Sequence, residues 1–590
     1  MTFHLNRRAL ITAMAAASTT TWLSACGGAT DAASTTLANS ATSAPASADD
    51  LALKFDPAKF TTINITLNGV ATTVRQYRVV YAAKPIKMAL AQATLMGATT
   101  TIADPFAYQT MIISVPASSV GSANAAIYML VNNAGWFASA VSTSITEGAS
   151  FISTDNNNHV GAALRAGYIV VNVGSRSRGG ARADDGRWMG MAPAAVVDVK
   201  AAIRYLRLNK GLVPGSPERI VLTGTSGGGA LTAAVAASGN SADYLPYLAD
   251  IGAAGVTGSG SSAISTLKDD VYAAVAYCPI NNLGNADIAY EWQYSAVRTD
   301  ANTSALNNGG ANIAYSAAGS LQVAASAALA AAFPAYVSTL GLKLEGASTL
   351  TAVNLPEQIM RFLKEEIERQ IASGTAVPAL GANFTFSQGG PALTLVNDWL
   401  TLSGSGISAT VANIDYTRFL RFVAASRTLK SVVAFDSVGV TNNKKPDGSW
   451  RVSGETNLFG SSTVPYVNFT EWTWTNNQVV GDGSGVNDTN QSWSQYLASS
   501  SNNLAAQLKL INPVDYINST ANTAPYWYVR HGMVDRDTSF AIQLILHYAL
   551  KNSPSVKDVN FKLPYLTGHS GNYDVQEAFA WIEAKLDASP

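Results

Sequence analysis

The chain has 590 residues, enough for one large domain or several smaller ones, so domain number has to be read from pattern. Charged residues make up 13%, against roughly 25% in an ordinary soluble domain, and 38 basic residues nearly balance 39 acidic ones. That balance leaves no basic footprint for nucleic acid, and Ser, Thr, Asn and Gly supply the polar surface instead, a composition that fits an exported protein.

Arg7 and Arg8 precede an apolar, alanine-rich stretch ending in Leu23-Ser24-Ala25-Cys26-Gly27. A positive start, an apolar middle and a small-residue end make residues 1–26 a signal peptide. The Leu-Ser-Ala-Cys run resembles a bacterial lipobox, in which the cysteine is acylated and becomes the mature N-terminus. Cys26 is therefore the expected lipid site, and the protein is expected at the bacterial cell envelope, on the outer membrane. An ordinary secretory signal with a chance cysteine is the alternative. The arginine pair also resembles a twin-arginine export signal. Only Cys26 and Cys278 occur, so a lipidated Cys26 excludes an internal disulfide.

Residues 27–50 are dominated by Ala, Ser and Thr, with too little apolar surface to offset the entropy of ordering, and read as a disordered tether. A run at 63–67, the turn pair Asn68-Gly69 and a run at 70–81 then predict a β-hairpin. Strand-like segments follow at 127–131, 168–173 and 220–222, alternating with a helix over 193–208 in which Val196, Val199, Ile203 and Leu206 recur on one face. Such alternation predicts a mainly parallel sheet.

The segment 219–222 leads into Gly224-Thr225-Ser226-Gly227-Gly228, followed by the helix formers Ala230, Leu231, Ala233 and Ala234. A G-x-S-x-G between a buried strand and a helix is a nucleophile elbow, whose small residues leave room for the strained backbone under an exposed serine. With 47 glycines in the chain, the pentapeptide alone is weak, and a flexible glycine loop is the bland alternative. Its place in the alternating pattern is what predicts an α/β-hydrolase fold with Ser226 as nucleophile. In that fold the oxyanion is held by the amide after the nucleophile, here Gly227, and by one from the loop after 127–131. Asn132-Asn133-Ala134-Gly135-Trp136 occupies that loop, which makes Gly135 the second expected donor, with a simple turn as the alternative. Cys278 closes an apolar run at 271–278, where a lone thiol is expected to pack as a small hydrophobe.

Between 281 and 525 the alternation is lost, and a helix over 355–372 stands among Asn- and Gly-rich loops. A structureless loop of that length is implausible in a compact domain. The segment therefore predicts a large lid domain inserted between core parts at 51–280 and 526–590. No repeat of solenoid period occurs. Asp482-Gly483-Ser484-Gly485 with Asp488 reads as a solvated loop rather than a calcium site, His-Glu-x-x-His is absent, and neither metal nor cofactor is implied.

Alternation resumes with a strand at 526–530, a helix at 540–550, a strand at 559–566 and a helix at 575–586. Of the five histidines, His4 belongs to the signal, His547 lies on an apolar helix, His531 follows a strand directly and His159 precedes a helix. His569, in Thr567-Gly568-His569-Ser570-Gly571 between the last strand and the last helix, holds the position of the hydrolase base. The acid that orients it is expected after the preceding strand, in Val534-Asp535-Arg536-Asp537-Thr538. Asp535 and Asp537 both qualify, and Asp537 could equally cap a helix.

Several separated stretches in this order resemble the bacterial subtype B tannases, which hydrolyse gallate esters. They are the elbow through Leu231, Ala276-Tyr277-Cys278-Pro279-Ile280, Ala289-Tyr290-Glu291-Trp292, Arg530-His531-Gly532, Asp535-Arg536-Asp537-Thr538-Ser539 and His569-Ser570-Gly571. The resemblance runs from about residue 60 onward. It implies that Asp535 is the triad acid and Asp537 a ligand of the galloyl ring. It also implies a lid lysine and a lid glutamate on the ring hydroxyls, matched by Lys430 and Glu455. An insertion over 442–451 separates these two, and the lid is longer than usual for the family.

The expected function is thus a serine carboxylesterase for hydroxylated aromatic acids, gallate esters first, working through Ser226, His569 and Asp535. Its expected partners are the small aromatic ester and, through the lipid anchor, a membrane. Feruloyl-type or synthetic aromatic esters would use the same machinery. A surface-binding lipoprotein with an inactive hydrolase fold is the non-enzymatic rival, and a prolyl-peptidase-like chain would need an N-terminal propeller for which there is no sign.

Overall fold

β-Branched and aromatic runs build a ten-stranded sheet that carries the molecule. The computed structural model describes residues 47–93, 99–179, 181–298, 321–437 and 455–588. Cys26, most of the expected tether and the 442–451 insertion lie outside these residues. In chain order the sheet contains β1 Thr61–Leu67, β2 Val70–Val80, β3 Thr110–Pro116, β4 Ile127–Val131, β5 Ser150–Phe151, β6 Ile169–Val173, β7 Ile220–Thr225, β8 Ala273–Tyr277, β9 Tyr526–Arg530 and β10 Asp558–Lys562. The strands lie side by side as β10-β9-β8-β7-β4-β6-β3-β2-β1-β5.

β1 and β2 form the expected hairpin, with Leu67 opposite Val70. Asn68 and Gly69 both take positive φ, 52° and 79°, as a two-residue turn matched to strand twist requires. From β6 to β10 every neighbouring pair is parallel. Register sets Val131 opposite Gly224, Thr225 opposite Tyr277, and Tyr277 opposite Arg530. The carboxyl ends of β4, β7, β8 and β9 are therefore level, and the loops leaving them meet above one edge of the sheet.

Alternation along β4 feeds two cores. Ile127 and Met129 face a layer that includes α2 (Ala194–Leu208), α3 (Gly227–Ala237), α4 (Leu283–Tyr294) and α7 (Phe540–Lys551). Tyr128 and Leu130 face α1 (His159–Arg165) and α8 (Val575–Asp587). α2 was expected to bury one face, yet it is buried nearly all round. Its polar residues are paired within the fold: Asp198 with Arg176 at 2.7 Å, and Lys200 and Arg204 with Asp269 at 2.7 and 2.6 Å.

Three expectations shift at their edges. A helix at Ala48–Ala52 lies where the tether was expected to end; Asp49 pairs with Lys84 at 2.7 Å and Asp50 accepts the Gly255 N–H at 2.7 Å, which docks these residues on the domain. β10 stops at Lys562 instead of 566, because Pro564 lacks an N–H and Leu566 turns to φ 48°. The 281–525 segment shares the main apolar cluster with the sheet: Ala286 and Tyr290 of α4, Ile359 and Leu363 of α5 (Leu355–Ala372), and Phe419 and Val423 of α6 (Tyr416–Ser426) all belong to it. Residues from Ala46 onward form one compact unit.

Candidate active site

Ser226 is the single residue between β7 and α3, at φ 62° and ψ −122°. A non-glycine residue holds such a backbone only where its surroundings impose it. A Cβ on Gly228 would sit 2.8 Å from the Val131 carbonyl oxygen, and one on Gly224 would collide with the Gly228 carbonyl. The G-x-S-x-G spacing is thus a packing requirement of this turn. The Ser226 N–H donates to Tyr277 O at 2.9 Å and ties the elbow to β8.

His569 arrives on the loop after β10. Its Nε2 lies 2.8 Å from Ser226 Oγ, and its Nδ1 lies 2.8 Å from Asp535 Oδ2. Asp535 is fully buried, and its Oδ1 accepts the Asp537 N–H at 2.8 Å. Asp537 stands farther off, with Oδ2 at 3.7 Å from the imidazole. Geometry therefore separates the two aspartates that the sequence pattern left open. Burial opposes charge on both members of the pair. Even so, the Asp535 carboxylate lifts His569 well above its ordinary value, and His569 and His531 hold Asp535 below its own.

Two further side chains join this group. His531 Nδ1 lies 3.3 Å from Asp535 Oδ2, fully buried, its ring edge-on to Phe540, and burial keeps it below the usual imidazole range. Cys278 lies just past β8 at φ 37°, not within the strand; its Sγ is 3.9 Å from His569 Nε2 and its thiol donates to Ser570 O at 3.3 Å. The expected small hydrophobe is buried, but it borders the site. Among the described residues, Cys278, Asp535 and His569 are the one group dense enough in such ligands to hold an ion, and two of them already bond each other. In the Asp482 loop the carboxylates turn inward on backbone, Asp488 accepting the Asp482 N–H at 2.8 Å and Asp482 accepting the Ser484 N–H at 2.8 Å.

The loop after β4 closes over the elbow. A Cβ on Gly227 would collide with the Trp136 amide, so the two turns touch. Within that loop Ala134, Trp136 and Phe137 donate their N–H groups to Asn132, Asn133 and Ala134. The Gly135 N–H has no such acceptor among the described residues, and Gly135 itself takes φ 56°. Arg178 supports the loop: Nε donates to Gly135 O at 2.6 Å, and the guanidinium lies 4.2 Å over the Phe137 ring.

Glu455 is buried and stands 3.7 Å from Arg178 Nη2, while Arg178 Nη1 donates to Asn457 Oδ1 at 3.0 Å. Burial brings the Arg178 guanidinium down to about 10, with Glu455 working against that. Lys430 is fixed through its backbone: its N–H donates to Tyr290 Oη at 3.0 Å, and its carbonyl accepts Arg298 Nη1 at 2.8 Å. Its ammonium lies 4.0 Å over the Phe435 ring and helps hold the Asp537 carboxyl far below its ordinary value, behind Arg536 and His569 and ahead of Arg427. Lys430 and Asp537 thus share one electrostatic group, and Glu455 belongs to the Arg178 side. Arg178 and Arg298 were not singled out from sequence for this site, while Tyr290 and His531 lie in the tannase-like stretches without an assigned role. For Arg178 a signal existed, since Arg176 and Arg178 stand three and five residues past the end of the buried strand β6, in the loop at its carboxyl end.

Residues 119–296 match the BD-FAE family. A tannase from Fusobacterium nucleatum is 28% identical, with a TM-score of 0.65 over 90% of this chain and 99% of its own. The tannin acyl hydrolase of Lactobacillus plantarum in its native structure is 27% identical, with a TM-score of 0.63 over 90% and 99% of the two chains. A tannin acyl hydrolase in complex with ethyl gallate is 27% identical, with a TM-score of 0.63 over 90% and 98%. No curated protein matches the chain. With the sheet order, the elbow and these likenesses together, the chain has the α/β-hydrolase fold, and its structural neighbours are bacterial tannases, which supports an ester hydrolase.

Proposed function

We propose that this chain is a lipid-anchored serine esterase that hydrolyses esters of hydroxylated aromatic acids, gallate esters first. The observation that carries the reading is the continuous line from Asp535 through His569 to Ser226 Oγ, two contacts of 2.8 Å ending on a strained elbow. Ser226 attacks the ester carbonyl as His569 Nε2 takes its proton. The Gly227 and Gly135 N–H groups stabilise the oxyanion, and Asp535 holds the imidazole tautomer and its positive charge. The alcohol leaves with the proton from His569. Water then attacks the acyl-enzyme with His569 again as base. Lys430, Asp537 and Glu455 receive the ring hydroxyls.

The experiment compares kcat/KM for methyl gallate and methyl benzoate. Sites built to hydrogen-bond a hydroxyl reject the analogue lacking it by about 10⁴-fold, because buried polar groups are left unpaired. A large preference for gallate is expected. Equal rates would leave the serine esterase standing and overturn the gallate reading, and no hydrolysis of either would favour the inactive binding protein.

A further inference from the structure

Gly135 and Trp136 both take left-handed backbone, at φ 56° and 62°. Two such residues in a row, one of them a bulky aromatic, persist only where their surroundings impose them. The loop after β6 supplies those surroundings. Arg178 runs beside Phe137 as a single parallel bridge, and its carbonyl accepts the Ala138 N–H at 3.1 Å. From the same residue Nε donates to Gly135 O at 2.6 Å, and the guanidinium covers the Phe137 ring at 4.2 Å. A Cβ on Gly179 would collide with that ring, so the residue after the arginine is small where the stack leaves no room.

These contacts set two consecutive peptide planes. Gly135 O belongs to the plane shared with Trp136, whose N–H donates to Asn133 O at 2.9 Å. Ala134 O, which accepts the Phe137 N–H at 3.0 Å, belongs to the plane that carries the Gly135 N–H. In a trans peptide the N–H points away from the carbonyl, so fixing Ala134 O also fixes where the Gly135 N–H is aimed. The guanidinium reaches the acyl side as well: Nη1 donates to Asn457 Oδ1 at 3.0 Å, and Nη2 stands 3.7 Å from Glu455 Oε1. Glu455 Oε2 is buried and has no hydrogen-bond partner among the described residues, which leaves it for a ring hydroxyl. We infer that Arg178 is a positioning residue of the oxyanion hole: its planar fork braces the loop after β4 so that the Gly135 N–H meets the developing oxyanion, and it joins that donor to Glu455. This rests on the serine esterase reading with Gly135 as second donor, but not on the identity of the acid.

The test is Arg178→Lys, which keeps the positive charge while a single ammonium cannot span Gly135 O, Asn457 Oδ1 and Glu455 together. Hydrolysis of p-nitrophenyl acetate, which carries no ring acid, is measured per active site, with sites counted by a fluorophosphonate run to complete labelling. Acylation and deacylation both pass through a tetrahedral oxyanion, so whichever step limits the rate reports on the donor. Removing a donor outright costs about 10²- to 10³-fold, and loosening one should lower kcat roughly tenfold with KM nearly unchanged. A residue that served stability alone would lower the thermal midpoint and the number of active sites but leave kcat per site at the wild-type value, and that result overturns the inference. So does a loss confined to KM. Asn457→Ala removes the Nη1 acceptor at a half-buried position and should lower kcat severalfold in the same manner. If Arg178→Lys fails to fold, this second variant decides, and wild-type kcat in it overturns the inference. Absence of p-nitrophenol release from the wild type would instead overturn the esterase reading.

Discussion

Asp535 and Asp537 are two positions apart and face different groups, so neutralising each has a different consequence. The Asp535 carboxylate raises His569, and a base acts only when unprotonated, so the rate is lost as pH falls through the His569 value. In Asp535→Asn, kcat should fall on the order of 10⁴-fold, and the acidic limb of the kcat/KM profile should move to lower pH because the imidazolium loses its partner. An acidic limb that stays in place would exclude Asp535 as the acid. Asp537→Asn should lower the preference for gallate over benzoate more than it lowers the rate on benzoate, measured as kcat/KM for the two esters. Ser226 and His569 were legible because turn chemistry and strand-end position mark them locally. His531 and Cys278 were not, since their roles depend on what folds against them: Cys278 meets a histidine 291 residues away.

At the scale of elements, α4 places Asp287, Tyr290 and Glu291 at three- and four-residue spacing, on one face. Asp287 accepts the N–H groups of Ala434, Phe435 and Asp436 at 2.8 to 2.9 Å, Tyr290 accepts that of Lys430, and Glu291 pairs with Arg298, which holds the Lys430 carbonyl. One core helix thus sets the backbone on which Lys430 stands. Asp287→Ala leaves three buried donors unpaired, at about 1–3 kcal/mol each, and should lower the thermal midpoint and raise KM for methyl gallate. Asp287→Asn keeps Oδ1 and two of the bonds, so its loss of stability should be smaller; equal losses in a thermal melt would refute this account. Strands announced by apolar runs, such as β4 and β9, matched the sequence reading residue for residue. The antiparallel strand β3 escaped it, because Thr110–Pro116 offers no turn pair like Asn68-Gly69 to flag it. The clamp on Lys430 could not be read at all, since its members are sequentially remote.

For the molecule as a whole, a mainly parallel sheet follows from alternation, and the strands before 281 and after 525 lie side by side in it. What pattern could not give is the way the 281–525 segment packs, because an apolar helix reads the same whether it covers its own hairpins or the main sheet. The envelope location is a proposal that rests on Cys26. Cys26→Ala should move the protein from the membrane fraction to the soluble one, as each buried methylene of an acyl chain contributes about 0.8 kcal/mol. Wild-type protein that fractionates as soluble would overturn the anchor.

Ser226 and His569 are separated by 343 residues of chain. A ribosome that has finished the elbow still has β9, the Asp535 loop, β10 and the base to make. Until then β8 is an open edge, ready to pair with whatever strand is near. Serine without base is also a poor nucleophile. Until β9, β10 and the loop after it are made, the chain therefore has the nucleophile without acid or base and is inert towards esters, and β8 gains its second neighbour only when β9 docks beside it.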